Sequence, residues 1–197
     1  MTPNQTLAES QGPHICPHQF SFFLDNWLRR LIQHPKKIVG PYIEVGDTVI
    51  DMGCGPGYFT IDMVKMVGSQ GRVIAVDIQE KMLDYVRKKA HRHGVAQRID
   101  YLLVGAQESG LSHQVDFILA FYMIHETPDV HQTLITFKRL LKQGGKILAV
   151  EPKMHVKQPA FEDMIAKAEQ IGLKAVDFPK YVSSRSVVFE CDPGVSS

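Results

Sequence analysis

Short, strongly apolar segments alternate with helix-like segments between residues 48 and 151 of this chain. The first, Thr-Val-Ile-Asp-Met at 48–52, and the second, Arg-Val-Ile-Ala-Val-Asp at 72–77, are nearly continuous runs of strand-forming residues. Strands have this composition when helices cover both faces of a parallel sheet, because neither face then meets water. The alternation therefore predicts an α/β fold with a mostly parallel, doubly wound sheet. The predicted strands are 48–52, 72–77, 99–104, 115–120 and 146–151, and the predicted helices are 58–67, 79–93 and 129–142.

The pattern changes after residue 152. A helix with apolar spacing is predicted from 161 to 171, and two strand-like segments follow it at 173–178 and 186–191. Nothing helical lies between these two segments, so we expect them to form an antiparallel hairpin at one edge of the sheet. The expected fold class is thus α/β with a C-terminal antiparallel hairpin.

The amino-acid composition of the chain argues against some classes of binding partner. The chain of 197 residues has a net charge of +1 and 22% charged residues, so it lacks the basic excess of a nucleic-acid binder. No apolar run approaches the ~20 residues that a membrane span needs. The cysteines Cys16, Cys54 and Cys191 are far apart and suggest a reducing compartment. We therefore expect a cytoplasmic protein with neither a nucleic-acid nor a membrane partner.

Three glycines directly follow the first predicted strand. Gly53, Gly55 and Gly57 lie where an open α/β sheet binds its ligand, between a strand and a helix. A dinucleotide loop would need a glycine at the position of Tyr58, and the Gly-Lys-Ser/Thr of a phosphate-binding loop is absent. Asp77 ends the second strand, where a carboxylate can accept hydrogen bonds from ribose hydroxyls. These residues favour a nucleoside ligand without a pyrophosphate.

Four successive motifs carry a family resemblance. The segments DMGCGPG, VIAVDIQEKML, VDFILAFYMIHE and LKQGGKILAVEP resemble those of the class I S-adenosylmethionine-dependent methyltransferases, over roughly residues 45–190. The resemblance implies a Rossmann-like, seven-stranded, mostly parallel sheet with its last strand inserted antiparallel. It also implies S-adenosylmethionine as cofactor, residues 46–192 as the methyltransferase domain, and residues 1–45 as an N-terminal tail and lid helix.

The resemblance implies a set of cofactor-binding residues. Asp51 would help to hold the cationic part of the ligand, Asp77 would accept from the ribose hydroxyls, and Ile78 would pack on the adenine. Many relatives have Gly-Asp-Ala after the third strand, whereas this chain has glycine at the aspartate position. Adenine would then be read through the two residues that follow. The full predicted set is Asp51, Gly53, Cys54, Gly55, Gly57, Asp77, Ile78, Ala106, Gln107 and Phe121.

Catalytic candidates must lie near the carboxyl ends of the central strands. The predicted set is Tyr122, His125, Glu126 and Glu151, with His155 close to it in the sequence. The hypothesis is that His125 is a general base or an acceptor-binding residue, oriented by Glu151 or Glu126, because histidine titrates near neutral pH. The alternative is that His125 is a polar loop or capping residue. No pair has the spacing of a structural zinc site, so we expect no metal.

The leading functional prediction is a methyltransferase that acts on a small-molecule acceptor by direct displacement, in which the enzyme mainly aligns the reacting atoms. One alternative is a protein or RNA methyltransferase. Another is a non-catalytic nucleoside-binding scaffold on the same fold, because fold does not fix function. The acceptor and the oligomeric state stay open.

Overall fold

The computed structural model describes residues 34–104 and 114–191. Within these ranges it has seven strands in one sheet and helices on both faces. The strands are β1 (Thr48–Met52), β2 (Arg72–Asp77), β3 (Ile99–Leu103), β4 (Val115–Phe121), β5 (Leu141–Pro152), β6 (Leu173–Asp177) and β7 (Ser184–Cys191). The helices are α1 (Pro35–Ile38), α2 (Thr60–Met66), α3 (Glu80–Arg92), α4 (Val130–Leu140) and α5 (Gln158–Gln170). Short 3-10 turns lie at Gly40–Tyr42, Ala96–Arg98 and Ile124–Glu126.

The strand order is β3-β2-β1-β4-β5-β7-β6. Strands β1 to β5 pair in parallel, whereas β7 pairs antiparallel with both β5 and β6. The predicted α/β class and the C-terminal hairpin are therefore confirmed. The hairpin places β7, its second strand, inside the sheet, and leaves β6 at the edge.

Helices cover both faces of the sheet with apolar stripes. On one face, α2 and α3 pack against β1 and β2, and on the other, α4 and α5 pack against β4, β5 and β7. The buried stripe of α3 consists of Met82, Leu83, Val86 and Ala90, which is the apolar face that the residue spacing within 79–93 predicts. Burial on both faces explains why the sequence of the central strands does not alternate.

The predicted C-terminal end of one helix is wrong. The helix predicted for 129–142 ends at Leu140, and Leu141 instead begins β5 by pairing with Val115. The apolar position in the last turn of the helix is thus Leu140, and Gly144 lies within β5 at a φ of 74°. Pro35 is the first residue of α1, a position where proline needs no N–H partner.

Residues 1–33 lie outside the described ranges, and with them most of the predicted tail and lid helix. Within the described ranges, the longest helices fall short of the length and apolarity that a bilayer-spanning segment requires.

Gly71, just before β2, gives a packing prediction. A Cβ there would stand 2.4 Å from the Val67 Cβ and 2.7 Å from the Asp47 carbonyl oxygen, contacts that the fold cannot relieve without moving backbone. We expect Gly71→Ala to lower the free energy of unfolding by about 1–3 kcal/mol. Gly40→Ala is the matched control, since nothing lies within 4 Å of a Cβ at that position. Denaturant titration measures both, and equal stabilities would contradict the packing argument.

Candidate active site at the carboxyl edge of the sheet

The strand order reverses direction between β1 and β4. The chain runs outward from β1 through β2 to β3, then returns to β4 on the other side of β1. In open α/β sheets, ligands bind in the crevice outside the carboxyl ends of the strands at such a switch point. Every described site residue predicted from the sequence lies at or just beyond the carboxyl end of β1, β2, β4 or β5.

All three loop glycines have positive φ: 69° at Gly53, 51° at Gly55 and 77° at Gly57. Two of them also have a packing reason to lack a side chain. A Cβ at Gly53 would stand 2.9 Å from the Cβ of Met123, and one at Gly57 would stand 3.1 Å from the Val86 side chain of α3. These glycines let the loop lie against its own protein neighbours.

Gly55 differs from the other two glycines. Among residues 34–104 and 114–191, no heavy atom of its surroundings lies within 4 Å of a Cβ built there, so a side chain at this position would enter open space between the described residues. Its N–H donates to Oδ2 of Asp77 over 2.9 Å. Gly55 is therefore the loop position at which a ligand could contact the main chain directly.

Asp77 is a buried carboxylate held by backbone groups. It is 7% exposed, and its Oδ1 accepts from the Gln79 N–H over 2.9 Å while its Oδ2 accepts from Gly55. Burial raises the pKa of the Asp77 carboxyl, and the backbone hydrogen bonds oppose this increase. The two oxygens of a carboxylate offer about four acceptor sites, more than the backbone N–H groups of Gln79, Gly55 and Ile78 use. Asp77 can therefore accept additional hydrogen bonds from the hydroxyls of a ligand.

Apolar surface lies beside Asp77. Ile78 is 53% exposed and Val104, at the end of β3, is 51% exposed. The two strand ends are joined, because the Val104 N–H donates to the Asp77 carbonyl oxygen over 3.0 Å. This surface suits the flat face of a base. Ala106 and Gln107, also predicted to contact the base, lie outside the described residues.

Asp51 and Cys54 are both buried beneath the loop. The Asp51 carboxylate accepts a hydrogen bond from the Thr60 hydroxyl over 2.6 Å, which ties the first residue of α2 to β1. Burial raises the pKa of the Cys54 thiol well above its usual value, and the negative charges of Asp51 and Asp77 add to this. The thiol therefore stays protonated at neutral pH. A cofactor-binding role for either residue remains a prediction.

The end of β4 carries an aromatic cluster and a strained residue. Phe121 lies 4.7 Å from the ring of Phe59 and 4.4 Å from that of Tyr122, between centroids. Tyr122 has a φ of 61°, which costs a non-glycine residue of order 1 kcal/mol. Its hydroxyl lies 2.6 Å from the Ser184 Oγ, and its N–H donates to the Val150 carbonyl. These contacts hold Tyr122 where three strand ends meet.

His125 and Glu151 form a hydrogen-bonded pair. Glu151, near the end of β5, is 1% exposed, and its Oε2 bonds Nδ1 of His125. Its Oε1 accepts from the Ile124 N–H over 3.1 Å. The bond to Glu151 raises the pKa of the His125 imidazole, against the lowering effect of burial. Of the two carboxylates predicted to orient His125, the structure brings Glu151 into contact with it.

Glu126 and His155 flank this pair. Burial raises the pKa of the Glu126 carboxyl, the charge of His125 lowers it, and the charge of Glu151 raises it again. The rings of His125 and His155 lie 5.6 Å apart in an edge-to-face arrangement. In the part of the chain that the structure describes, no three His, Cys, Asp or Glu side chains are arranged to hold a metal ion.

Sequence reasoning missed the groups that orient the predicted residues. Thr60 binds Asp51, Ser184 contacts Tyr122, and the Ile124 N–H supports Glu151. A hydroxyl nine residues beyond a strand aspartate carries no signal of its own in a single sequence. Ser184 comes from β7, 62 residues away from Tyr122, and only the strand order brings the two together.

Comparisons with known proteins agree with this geometry. A family model described as a methyltransferase domain matches residues 43–182. A solved structure of an S-adenosylmethionine-dependent methyltransferase from Aquifex aeolicus superposes with a TM-score of 0.76 at 23% identity, covering 90% of this chain and 100% of that one. At this identity the likeness is one of fold.

Curated relatives match over a shorter range. The demethylmenaquinone methyltransferase of Lactococcus lactis is 31% identical over 121 residues, covering 59% of this chain and 48% of that protein. The ubiquinone/menaquinone biosynthesis C-methyltransferase of an Enterobacter species is 30% identical over 115 residues, covering 58% of this chain and 46% of that protein. The chain thus spans about half the length of the curated relatives it matches.

A matched pair of glycine substitutions tests whether the space at Gly55 is a ligand site. Gly55→Ala and Gly144→Ala introduce a Cβ at positions with positive φ and nothing within 4 Å, so both carry similar backbone strain. We expect only Gly55→Ala to weaken binding of S-adenosylmethionine, by tenfold or more, since only its methyl group enters the crevice. Isothermal titration calorimetry measures the affinity. Equal affinities in the two variants would place the ligand elsewhere.

The His125–Glu151 bond predicts a pH-dependent stability. The pKa of His125 in the folded protein is raised above its ordinary value of 6.5. The bond to Glu151 therefore contributes fully to the free energy of unfolding below pH 6.5, and this contribution is lost as the pH rises through the folded pKa. The difference in unfolding free energy between wild type and His125→Gln should therefore be largest at mildly acidic pH and shrink above neutrality. Denaturant titrations across this range measure it. A difference that grows with pH would contradict the assignment.

Proposed function

The chain belongs to the class I S-adenosylmethionine-dependent methyltransferases, and from that membership we propose that it transfers a methyl group to a small-molecule acceptor by direct displacement. S-adenosylmethionine is the cofactor of this family. When bound, it supplies an electrophilic methyl group on a sulfonium. The residues at the crevice bind the cofactor, exclude water and remove a proton from the acceptor.

The residues present fit this cofactor. Open space at Gly55 lets a ligand approach the loop backbone, and the Asp77 carboxylate beside it can accept from vicinal hydroxyls. The exposed side chains of Ile78 and Val104 offer apolar contact to a base. The buried carboxylates of Asp51 and Asp77 make the potential around the loop negative, which favours a cationic ligand.

The observation that carries the catalytic proposal is the His125–Glu151 pair. Glu151 bonds Nδ1 of His125, which fixes the neutral imidazole as the tautomer with its proton on Nδ1. Nε2 is then the nitrogen that can take a proton from an acceptor hydroxyl or ammonium group. His125 is thus assigned as general base, and Glu151 as the residue that positions it, in the manner of a carboxylate behind a catalytic histidine.

Its burial and its hydrogen bond from the Ile124 N–H make Glu151 suited to positioning His125. Its carboxylate is shielded from water and held on its other oxygen by the Ile124 N–H, so it does not rotate away from His125. When His125 takes a proton, the imidazolium stays beside this carboxylate and is stabilised by it. Activity should accordingly rise with pH through the raised pKa of His125.

A small molecule is the proposed acceptor class. The relatives from Lactococcus lactis and Enterobacter are named for methylation in quinone biosynthesis, which is small-molecule chemistry. The net charge of +1 provides no basic excess for a nucleic acid. A protein or RNA acceptor and a non-catalytic scaffold are the outcomes against which the proposal is tested.

Labelled cofactor tests the proposed class. We expect wild-type protein incubated with methyl-labelled S-adenosylmethionine and a size-fractionated cell extract to label the small-molecule fraction. Label in the protein or RNA fraction instead would assign a macromolecular acceptor. If calorimetry shows cofactor binding but no fraction becomes labelled, the result would favour a non-catalytic nucleoside-binding scaffold.

Substitution of His125 tests the base. We expect His125→Ala to lower kcat by about 10²–10⁴-fold, because general base catalysis is lost, and to leave the affinity for S-adenosylmethionine unchanged. His91→Ala, at an exposed position on α3, is the matched control and should leave kcat unchanged. Unchanged turnover in His125→Ala would remove the base assignment while leaving the cofactor site intact.

A further inference from the structure

Large apolar side chains are exposed on two loops next to the candidate site. Met154, in the loop after β5, is 81% exposed, while Phe178 and Val182, in the loop between β6 and β7, are 55% and 64% exposed. Single exposed apolar residues are ordinary, but a group of them on adjoining loops marks an interaction surface. We call these three side chains the apolar rim.

The two loops adjoin each other at the carboxyl edge of the sheet. The Lys153 N–H donates to the Ser183 carbonyl oxygen over 3.0 Å, and Pro152 pairs with Ser184 in the β5–β7 ladder. Strand β6 runs parallel to β5, so its carboxyl end, which leads into Phe178, lies at this same edge. The apolar rim is therefore carried by a hydrogen-bonded pair of loops.

The rim borders the crevice in which the acceptor is proposed to react. His155, the neighbour of Met154, lies with its ring 5.6 Å from that of His125. On the other loop, the Ser184 Oγ lies 2.6 Å from the Tyr122 hydroxyl. A surface that docks against the rim would thus face the proposed base.

The charge on these loops has one sign. Segments 153–157 and 178–184 contain Lys153, Lys157 and Lys180, all exposed, and neither aspartate nor glutamate. The adjacent acidic residue, Asp177, ends β6 and accepts a hydrogen bond from the Tyr42 hydroxyl. Exposed apolar side chains on loops whose own charged residues are lysines are typical of a surface that lies on anionic lipid. There the apolar groups enter the headgroup boundary and the lysines attract the phosphates.

We propose that the apolar rim and its three lysines, Lys153, Lys157 and Lys180, dock the protein reversibly on the surface of a membrane that contains anionic phospholipids. Docking would present the crevice to the bilayer surface, where apolar acceptors are concentrated. This is peripheral contact and requires no spanning segment. It differs from the expectation, drawn from the lack of long apolar runs, that the protein has no membrane partner.

Vesicle co-sedimentation tests the docking. The protein should bind vesicles of phosphatidylcholine and phosphatidylglycerol, bind vesicles of phosphatidylcholine alone much more weakly, and dissociate as salt is raised. Removing apolar side chains with Met154→Ser plus Val182→Ser should lower the partition coefficient roughly tenfold for each side chain. Replacing the three lysines by glutamine should lower it about fivefold for each charge.

Val45→Ser is the matched control. Val45 is 80% exposed but precedes β1, at the amino edge of the sheet, so its loss should leave vesicle binding unchanged. No binding by wild type, or equal losses in the Val45 and rim variants, would overturn the proposal. So would a change from dimer to monomer in the rim variants without vesicle binding, since the rim would then contact a second copy of the chain. Vesicle binding needs no methyl transfer, so it and the proposed function fail independently.

Discussion

Burial of the central sheet on both faces is the constraint on which the rest of the structure depends. Inside the sheet the backbone groups are satisfied by the strand ladders, and a charged side chain there would lose hydration without compensation. Carboxylates are tolerated near the strand ends, where loop N–H groups and hydroxyls can reach them. In the described part of the chain, three carboxylates are buried, and they occupy such positions in β1, β2 and β5: Asp51, Asp77 and Glu151.

Neutral or weakly charged donors satisfy these carboxylates. Asp51 takes the Thr60 hydroxyl, Asp77 takes two backbone N–H groups, and Glu151 takes one N–H and the ring of His125. Among the described residues, neither Asp77 nor Glu151 forms an ion pair with a lysine or arginine. The potential directly around Asp77 and Glu151, at the floor of the candidate site, is therefore negative and favours a cationic ligand.

Backbone strain is also found at the carboxyl edge of the sheet. Tyr122 and Ser183 are the non-glycine residues with positive φ in the described ranges, and they lie at the end of β4 and in the turn before β7. Such conformations persist where surrounding contacts over-determine them. Here the Tyr122 N–H donates to the Val150 carbonyl of β5, and the Ser183 carbonyl accepts from the Lys153 N–H just after β5.

The sequence by itself determined the elements and the ligand edge. Apolar runs, helix stripes and loop glycines are local signals, and they placed β1, β2 and the buried face of α3 correctly. They also indicated that His125 and Glu151, at the ends of different strands, share an edge, because parallel strands end on the same side. The helix end at Leu140 was missed because pairing of Leu141 with Val115 is a tertiary contact.

Only the tertiary structure decided which neighbours each site residue has. It selected Glu151 over Glu126 as the partner of His125, since β5 lies beside β4 while Glu126 projects from the turn after it. It separated Gly55, which meets open space, from Gly53 and Gly57, which meet Met123 and Val86. The sequence shows which positions are glycine and which carry a charge. The residues that contact those positions depend on the strand order, because that order is set by contacts between segments that are distant in the sequence.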